Sequence, residues 1–315
     1  MFRYTRPELG RVREARECPC WGAELSRIAI VGVGAIGSVI ATLLQESGRH
    51  EVVLCTRRPL PELLVETPDG AVRIEAEVVS DPAAAKIADW VLVATKAYDV
   101  ATAALWLPGL CAGGAPIAVL QNGVEHRERF AAYATPESIV PVIVDCAAER
   151  KSPSYVVQRG TMHLKLQDDG LGREFIELFA GTAADAVVVP DLVTAAWRKL
   201  CHNAVGVLPT LLLQPQGVIR GEALSDVARQ LVRECIAVGR AEGAQLDEAV
   251  VEAVIDAYHS ATPDGVNSLH ADRIAGRPLE LDARNGVIVR LGKKYGIATP
   301  GNSMAVALLE AMLHG

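Results

Sequence analysis

Aromatic residues are scarce in this chain. Phe, Trp and Tyr make up 4% of its 315 residues, although half of all residues are apolar. The core must therefore be aliphatic and rich in alanine, and the apolar content excludes a disordered chain. Long apolar runs are also missing: no stretch reaches the ~18 uncharged residues that read as a membrane helix. The opening stretch "MFRYTRPELGRVREARECPCWGAELS" has no apolar segment of the signal-peptide kind. It predicts a disordered head over residues 1–26, or a start site placed too far upstream, on a cytoplasmic protein. There is no basic excess, since 31 Lys and Arg face 38 Asp and Glu for a net charge of -7. That balance argues against a nucleic-acid partner, which requires a basic surface, yet local basic residues can still serve small anions. The seven cysteines are odd in number and scattered, and most sit in apolar runs. They read as reduced core thiols. Cys18 and Cys20 form a lone C-x-C without nearby ligands, so no metal site is expected. Internal repeats and low-complexity segments are absent too.

What is present is an alternation. "RIAIVGV" (27–33) is a β-rich run ending in glycines. "AIGSVIATLLQESG" (35–48) reads as a helix that Gly48 ends, and "HEVVLCT" (50–56) as a second buried strand. "ADWVLVATK" (88–96), "PIAVLQNG" (116–123) and the start of "SIVPVIVDCAAE" (138–149) read as further strands. "AYDVATAALWL" (97–107) and "EHRERFAAYA" (125–134) read as the helices between them. Strands alternating with helices imply a Rossmann-type doubly wound parallel sheet. "SYVVQRG" and "MHLKLQD" predict a hairpin turning near Gly160, followed by a helix over 172–181 and a strand over 185–191. From about residue 193 onward the apolar spacing is helical only, in "VTAAWRKLCHNAVGVLPTLLL", "LSDVARQLVRECIAVGRAEG", "LDEAVVEAVIDAYHSA" and "MAVALLEAMLHG". The expected organisation is an α/β domain over 27–190 followed by an all-helical domain over 191–315. Apolar faces of the helical domain would support a homodimer.

"VGVGAIGS" carries the Gly-x-Gly-x-x-Gly spacing at Gly32, Gly34 and Gly37, between a strand and a helix of a βαβ unit. In that context Gly32 permits a tight turn, Gly34 lets the backbone approach a pyrophosphate, and Gly37 lets helix and strand pack closely. The helix start, with Ala35 and Ile36, turns its partial positive charge toward the phosphates. At the end of the second strand an NAD site usually has an acidic residue for the ribose hydroxyls. This chain has "CTRRP", and Arg57 and Arg58 suit a 2′-phosphate instead. The expected cofactor is therefore NADP(H). Lys96 in "VATKAYD" and Asn122 in "LQNGVE" lie just past carboxyl ends of strands, where ligands of open parallel sheets sit. Lys199 and Asn203 are four apart on a predicted helix and share a face.

The pieces "GVGAIGS", "VLVATKA", "LQNG", "WRKLCHNA" and "SLHADRIAGRPLELDARNG" followed by "GIATP" resemble the ketopantoate reductase (2-dehydropantoate 2-reductase) family, in order and spacing, from about residue 27 to 300. The resemblance implies a Rossmann domain joined to a helical domain, with the active site in the cleft between them. It also implies NADPH-dependent reduction of a 2-keto acid to a 2-hydroxy acid, which for ketopantoate serves pantothenate and coenzyme A biosynthesis. On this resemblance Lys199 is the general acid and Glu280 the other catalytic residue. Asn203, Ser268 and Asn122 hold the substrate, while Asn122, Lys96 and Glu280 also border the cofactor. The chemistry fits these residue types: hydride addition places negative charge on the keto oxygen, which an adjacent ammonium stabilises and protonates. His202 is expected to pack or face solvent, and Asp272 is a further carboxylate for the cleft.

The chain departs from the family in "NAVGVLPTLLLQPQG", where Val207 stands in place of a second substrate-binding Asn. A missing polar anchor changes which ligand is penalised. The alternative reading is thus the same mechanism acting on a different 2-keto acid or carbonyl substrate.

Overall fold

The computed structural model of the chain describes residues 12–13 and 25–314. Most of the expected disordered head, with Cys18 and Cys20, lies outside the described residues. Within it, Val12–Arg13 pair in parallel with Ala71–Val72.

The chain divides into two compact units, Met1–Gln121 with His126–Pro190, and Asn122–Glu125 with Asp191–Gly315. The first is built on a parallel sheet of β1 (Ser26–Val31), β2 (His50–Cys55), β3 (Glu77–Val79), β4 (Trp90–Val93), β5 (Ile117–Val119) and β6 (Ile139–Pro141). Their spatial order is β3-β2-β1-β4-β5-β6, with every pairing parallel. This is the doubly wound order of the Rossmann fold. The central strands read as continuous aliphatic runs because apolar layers cover both of their faces. Ile28, Ile30 and Leu92 face one layer, with Val39, Ile40 and Leu44 of helix α1 (Ala35–Ser47). Ala29, Val31, Val91 and Val93 face the other, with Trp106, Leu110 and Phe130. Each such aliphatic side chain, fully buried, contributes about 1.5–3 kcal/mol. Helix α1 ends at Gly48, whose φ of 64° is the left-handed cap glycine adopts without strain.

The hairpin expected near Gly160 does not form. Tyr155–Gln158 pairs antiparallel with Ala148–Ser152 and parallel with Leu64–Thr67, whereas His163–Gln167 lies in a different sheet between Ile143–Asp145 and Asp185–Val189. A tight hairpin needs residues at positive φ, and Gly160 is not among the glycines that adopt it. A true hairpin, Leu64–Thr67 with Gly70–Arg73, turns instead at "TPDG", where Gly70 has φ 129°.

The second unit is helical: α2 (Leu192–Val205), α3 (Val207–Leu212), α4 (Glu222–Ala241), α5 (Ala249–Ser260), α6 (Ser268–Ile274), α7 (Val287–Tyr295) and α8 (Pro300–His314). The expected single helix over 193–213 is broken between α2 and α3 at Gly206. Pro209 lacks the N–H that would bond back to Val205, so the ladder is interrupted there. Helix α2 starts at Asp191, whose carboxylate accepts from the Thr194 N–H at 2.9 Å. Its residues Trp197, Cys201, Ala204 and Val205 join Leu231, Val232, Cys235 and Val238 of α4 in one apolar core. Gly239 makes the close approach workable, because a Cβ there would lie 3.0 Å from the Trp197 ring. No described helix is long and apolar enough to cross a membrane.

Candidate active site

The turn after β1 gives each of its three glycines a different task. Gly32 has φ 99°, and a Cβ on it would sit 2.6 Å from the Thr95 methyl and 2.7 Å from the Thr95 nitrogen. Gly37 packs helix α1 onto the turn: its Cβ would lie 2.1 Å from the Gly32 carbonyl oxygen. Gly34 is the N-cap of α1, and nothing stands within 4 Å of where its Cβ would be. A ligand can therefore reach the backbone here. The first turn of α1 holds no acidic residue, so the helix start with Ala35 and Ile36 keeps its positive end for an anion. These residues fit a dinucleotide pyrophosphate.

Arg57 and Arg58 are exposed just past β2. Arg57 approaches the Asp99 carboxylate at 3.5 Å, with its own side chain 69% exposed. Such a pair is worth about 0–1 kcal/mol, so the guanidinium is free to take a stronger anion. Lys96, half-buried, precedes a short 3-10 turn (Ala97–Asp99) past β4. The Gln121 amide braces this loop by donating to Thr95 Oγ1 at 2.9 Å and to the Lys96 carbonyl at 3.2 Å.

Asn122 follows β5 in sequence yet belongs to the helical unit. Its Nδ2 donates to Glu280 Oε2 at 3.0 Å, across 158 residues of chain. Gly123, at φ 112°, lets this turn approach the Ala283 carbonyl, and Arg290 holds Glu125 with two bonds of 2.8 and 2.9 Å. Glu280 is buried and stands just before a π-helical turn (Asp282–Gly286). Such turns are frequent at functional sites.

Lys199 and Asn203 lie on α2, both half-buried, at the four-residue spacing expected of one face. Ser268 is the exposed first residue of α6. The structure thus joins Asn122 to Glu280 directly and places Lys199 with Asn203 on one helix. Val207 is fully buried in the apolar core of the unit with Leu208 and Ile219. Its side chain supplies packing and no polar contact. His202 is exposed and its ring stacks on Tyr258 at 4.6 Å. Asp272 is buried and bonded to Arg277 at 2.8 Å. Burial pushes the thiols of Cys55 and Cys146 up to about 12 and that of Cys111 to about 11. They are therefore protonated and unreactive at neutral pH. No group of His, Cys, Asp and Glu among the described residues could hold a metal ion.

Two further residues of the helical unit escaped the sequence analysis. Arg284 is 2% exposed and donates to the Asn203 carbonyl at 2.6 Å. Gly206 gives it room, since a Cβ there would lie 2.8 Å from Arg284 Nη2. The only sequence signal was the "DARNG" run that holds Arg284, and an arginine in a run of mixed polarity reads as a surface residue.

The sheet order and glycine turn, with a separate helical unit, define a Rossmann-type protein carrying a helical C-terminal unit. The model of the "Ketopantoate reductase PanE/ApbA" family matches residues 28–170, and its C-terminal counterpart matches residues 191–313. The chain belongs to the ketopantoate reductase family, a family of oxidoreductases. It is 46% identical over 287 residues to the 2-dehydropantoate 2-reductase of Caulobacter vibrioides, covering 91% of this chain and 99% of that protein. It is 38% identical over 291 residues to the enzyme of the same name from Mycobacterium tuberculosis, covering 91% and 98%. Among solved structures, 2-dehydropantoate 2-reductase from Geobacter metallireducens superposes with a TM-score of 0.85 at 28% identity, covering 91% and 99%.

Proposed function

We propose that this protein reduces 2-dehydropantoate (ketopantoate) to (R)-pantoate with NADPH, as a step of pantothenate and coenzyme A biosynthesis. The observation that carries the proposal is the 3.0 Å bond between Asn122 and Glu280 in the unit that also presents Lys199 and Asn203. Family membership supports reading that constellation as a reductase site.

NADPH, when bound, supplies the hydride. Gly32, Gly34, Ala35, Ile36 and Gly37 would hold its pyrophosphate, Arg57 its 2′-phosphate, and Lys96, Asn122 and Glu280 its nicotinamide end. The chain's own residues do the rest. Asn203, Ser268 and Asn122 hold the keto acid through hydrogen bonds. The Lys199 ammonium stabilises the negative charge that develops on the keto oxygen and delivers the proton to it. Glu280 accepts from Asn122, which fixes the orientation of both groups. The same machinery acting on another 2-keto acid is the competing reading. It rests on Val207, which stands where the family pattern has a polar residue and is buried among apolar neighbours here.

The test is NADPH oxidation across a panel of 2-keto acids, with NADH run in parallel. The expected result is the highest kcat/KM for ketopantoate with NADPH. A higher kcat/KM for another keto acid would replace the substrate, and a preference for NADH would overturn the cofactor.

A further inference from the structure

We propose that Arg284 is a positioning residue for the reduction: its buried guanidinium ties the end of α2, which carries Asn203 and Lys199, to the segment that carries Glu280. This rests on the functional reading above and names a residue of the same site.

A helix leaves its last carbonyls without partners inside the helix. In α2 they are taken one after another by side chains from elsewhere in the unit. The Tyr258 hydroxyl donates to the His202 carbonyl at 3.1 Å, Arg284 Nη2 to the Asn203 carbonyl at 2.6 Å, and Asn285 Nδ2 to the Ala204 carbonyl at 3.0 Å. Two consecutive residues of the π-turn thus hold two consecutive carbonyls of the helix that presents Lys199. Asn285 is anchored in turn by Asn302 at 2.9 Å, and Asn302 by Glu234 at 2.7 Å. The assembly is almost wholly buried.

A guanidinium is an expensive group to use as a cap here. Removing such an ion from water costs several kcal/mol, so a buried guanidinium is kept only where its partners offset that cost. Arg284 Nε has no hydrogen-bond partner. Burial draws its pKa down, opposed by the charges of Glu280 and Asp272. The charge of Arg284 thus acts on Glu280 through space while its hydrogen bond grips the backbone of Asn203. A cation also suits a helix C-terminus. A neutral amide such as that of Asn285 can cap a carbonyl. Only a cation can do so and act on the Glu280 carboxylate as well.

The experiment compares R284M, R284K and G206A with the wild type. Measured are kcat and KM for ketopantoate, NADPH affinity, the melting temperature, and amide hydrogen exchange over residues 199–206. For R284M the expected result is a lowered melting temperature, because the Asn203 carbonyl and the buried Glu280 lose a partner, with unchanged NADPH affinity and faster exchange confined to the end of α2. Its kcat should fall by about a hundredfold, the scale of a misplacement of about 1 Å in a reacting group. KM should change much less, and R284K should recover at least part of kcat. R284M with wild-type kcat and wild-type exchange would overturn the proposal. If R284M does not fold, G206A carries the test, because its methyl displaces the guanidinium without removing it, and wild-type kcat in folded G206A would be equally fatal. If the wild type itself does not turn over ketopantoate, the functional reading fails, and the exchange comparison still decides whether Arg284 fixes the end of α2.

Discussion

Gly32, Gly34 and Gly37 sit within six residues and are glycines for different reasons. Gly32 is demanded by its positive φ and by Thr95, Gly37 by the backbone oxygen of Gly32, and Gly34 by nothing in the chain itself. The open space at Gly34 leaves the backbone of the turn accessible, as the proposed pyrophosphate cradle requires. Arg57 extends the same logic to cofactor choice. Its loose pairing with Asp99 leaves the guanidinium available to a 2′-phosphate. Charge-assisted hydrogen bonds contribute about 1.5–3 kcal/mol each. Arg57→Ala is therefore expected to raise the KM for NADPH by about ten- to a hundredfold while leaving NADH kinetics nearly unchanged. Equal effects on the two cofactors in steady-state assays would remove Arg57 from the 2′-phosphate site. The conformation of the glycine turn was legible because its surroundings in sequence, a strand before and a helix after, already define it. Arg284 was not: burial of a charge is decided by the elements that close over it, and none of them adjoins it in sequence. The burial of Val207 was not legible for the same reason, because a motif position says nothing about which way its side chain points.

Helix α6 connects local structure to stability. Asn267 caps it, accepting from the His270 N–H at 3.0 Å. The His270 ring is buried with neither nitrogen hydrogen-bonded. Burial lowers its pKa, and Arg273 adds to the effect. His50 is also lowered, by burial first and Arg49 second, against the Leu178 carbonyl that bonds its ring. In the unfolded chain both titrate near the ordinary value of about 6.5. Below that pH the unfolded chain binds more protons than the folded one, so stability is full above about pH 6.5 and is lost as pH falls toward the folded-state values. The melting temperature should thus drop between about pH 7 and pH 5. His270→Leu should flatten part of that drop, His50 supplying the remainder. A variant whose melting temperature falls as steeply as that of the wild type would contradict the assignment. At this scale five strands of the parallel sheet were readable from their apolar runs, while the edge strand Glu77–Val79, only three residues long and largely exposed, was not. The expected hairpin near Gly160 was not real, because adjacent strands in sequence can belong to different sheets. The break at Gly206 needed the missing N–H of Pro209 to be weighed against a continuous apolar stripe.

At the level of the whole chain, the two units have separate aliphatic cores, which the low aromatic content had implied. One detail of their composition was beyond reach of the sequence. Asn122–Glu125 follow β5 directly but belong to the helical unit, held by Glu280 and Arg290. A linear reading assigns such a turn to the sheet that precedes it. In the proposed reaction Asn122 serves both cofactor and substrate. That reaction requires the glycine turn of one unit and the Lys199 ammonium of the other, so the central claim is tested by separating binding from chemistry. The measurement is NADPH oxidation with ketopantoate by the wild type and by Lys199→Ala, with NADPH affinity determined on both proteins. The account predicts a fall in kcat/KM of about a hundred- to ten-thousandfold, the range for loss of a general acid, with NADPH bound as tightly as before. Turnover by Lys199→Ala at the wild-type rate would contradict it.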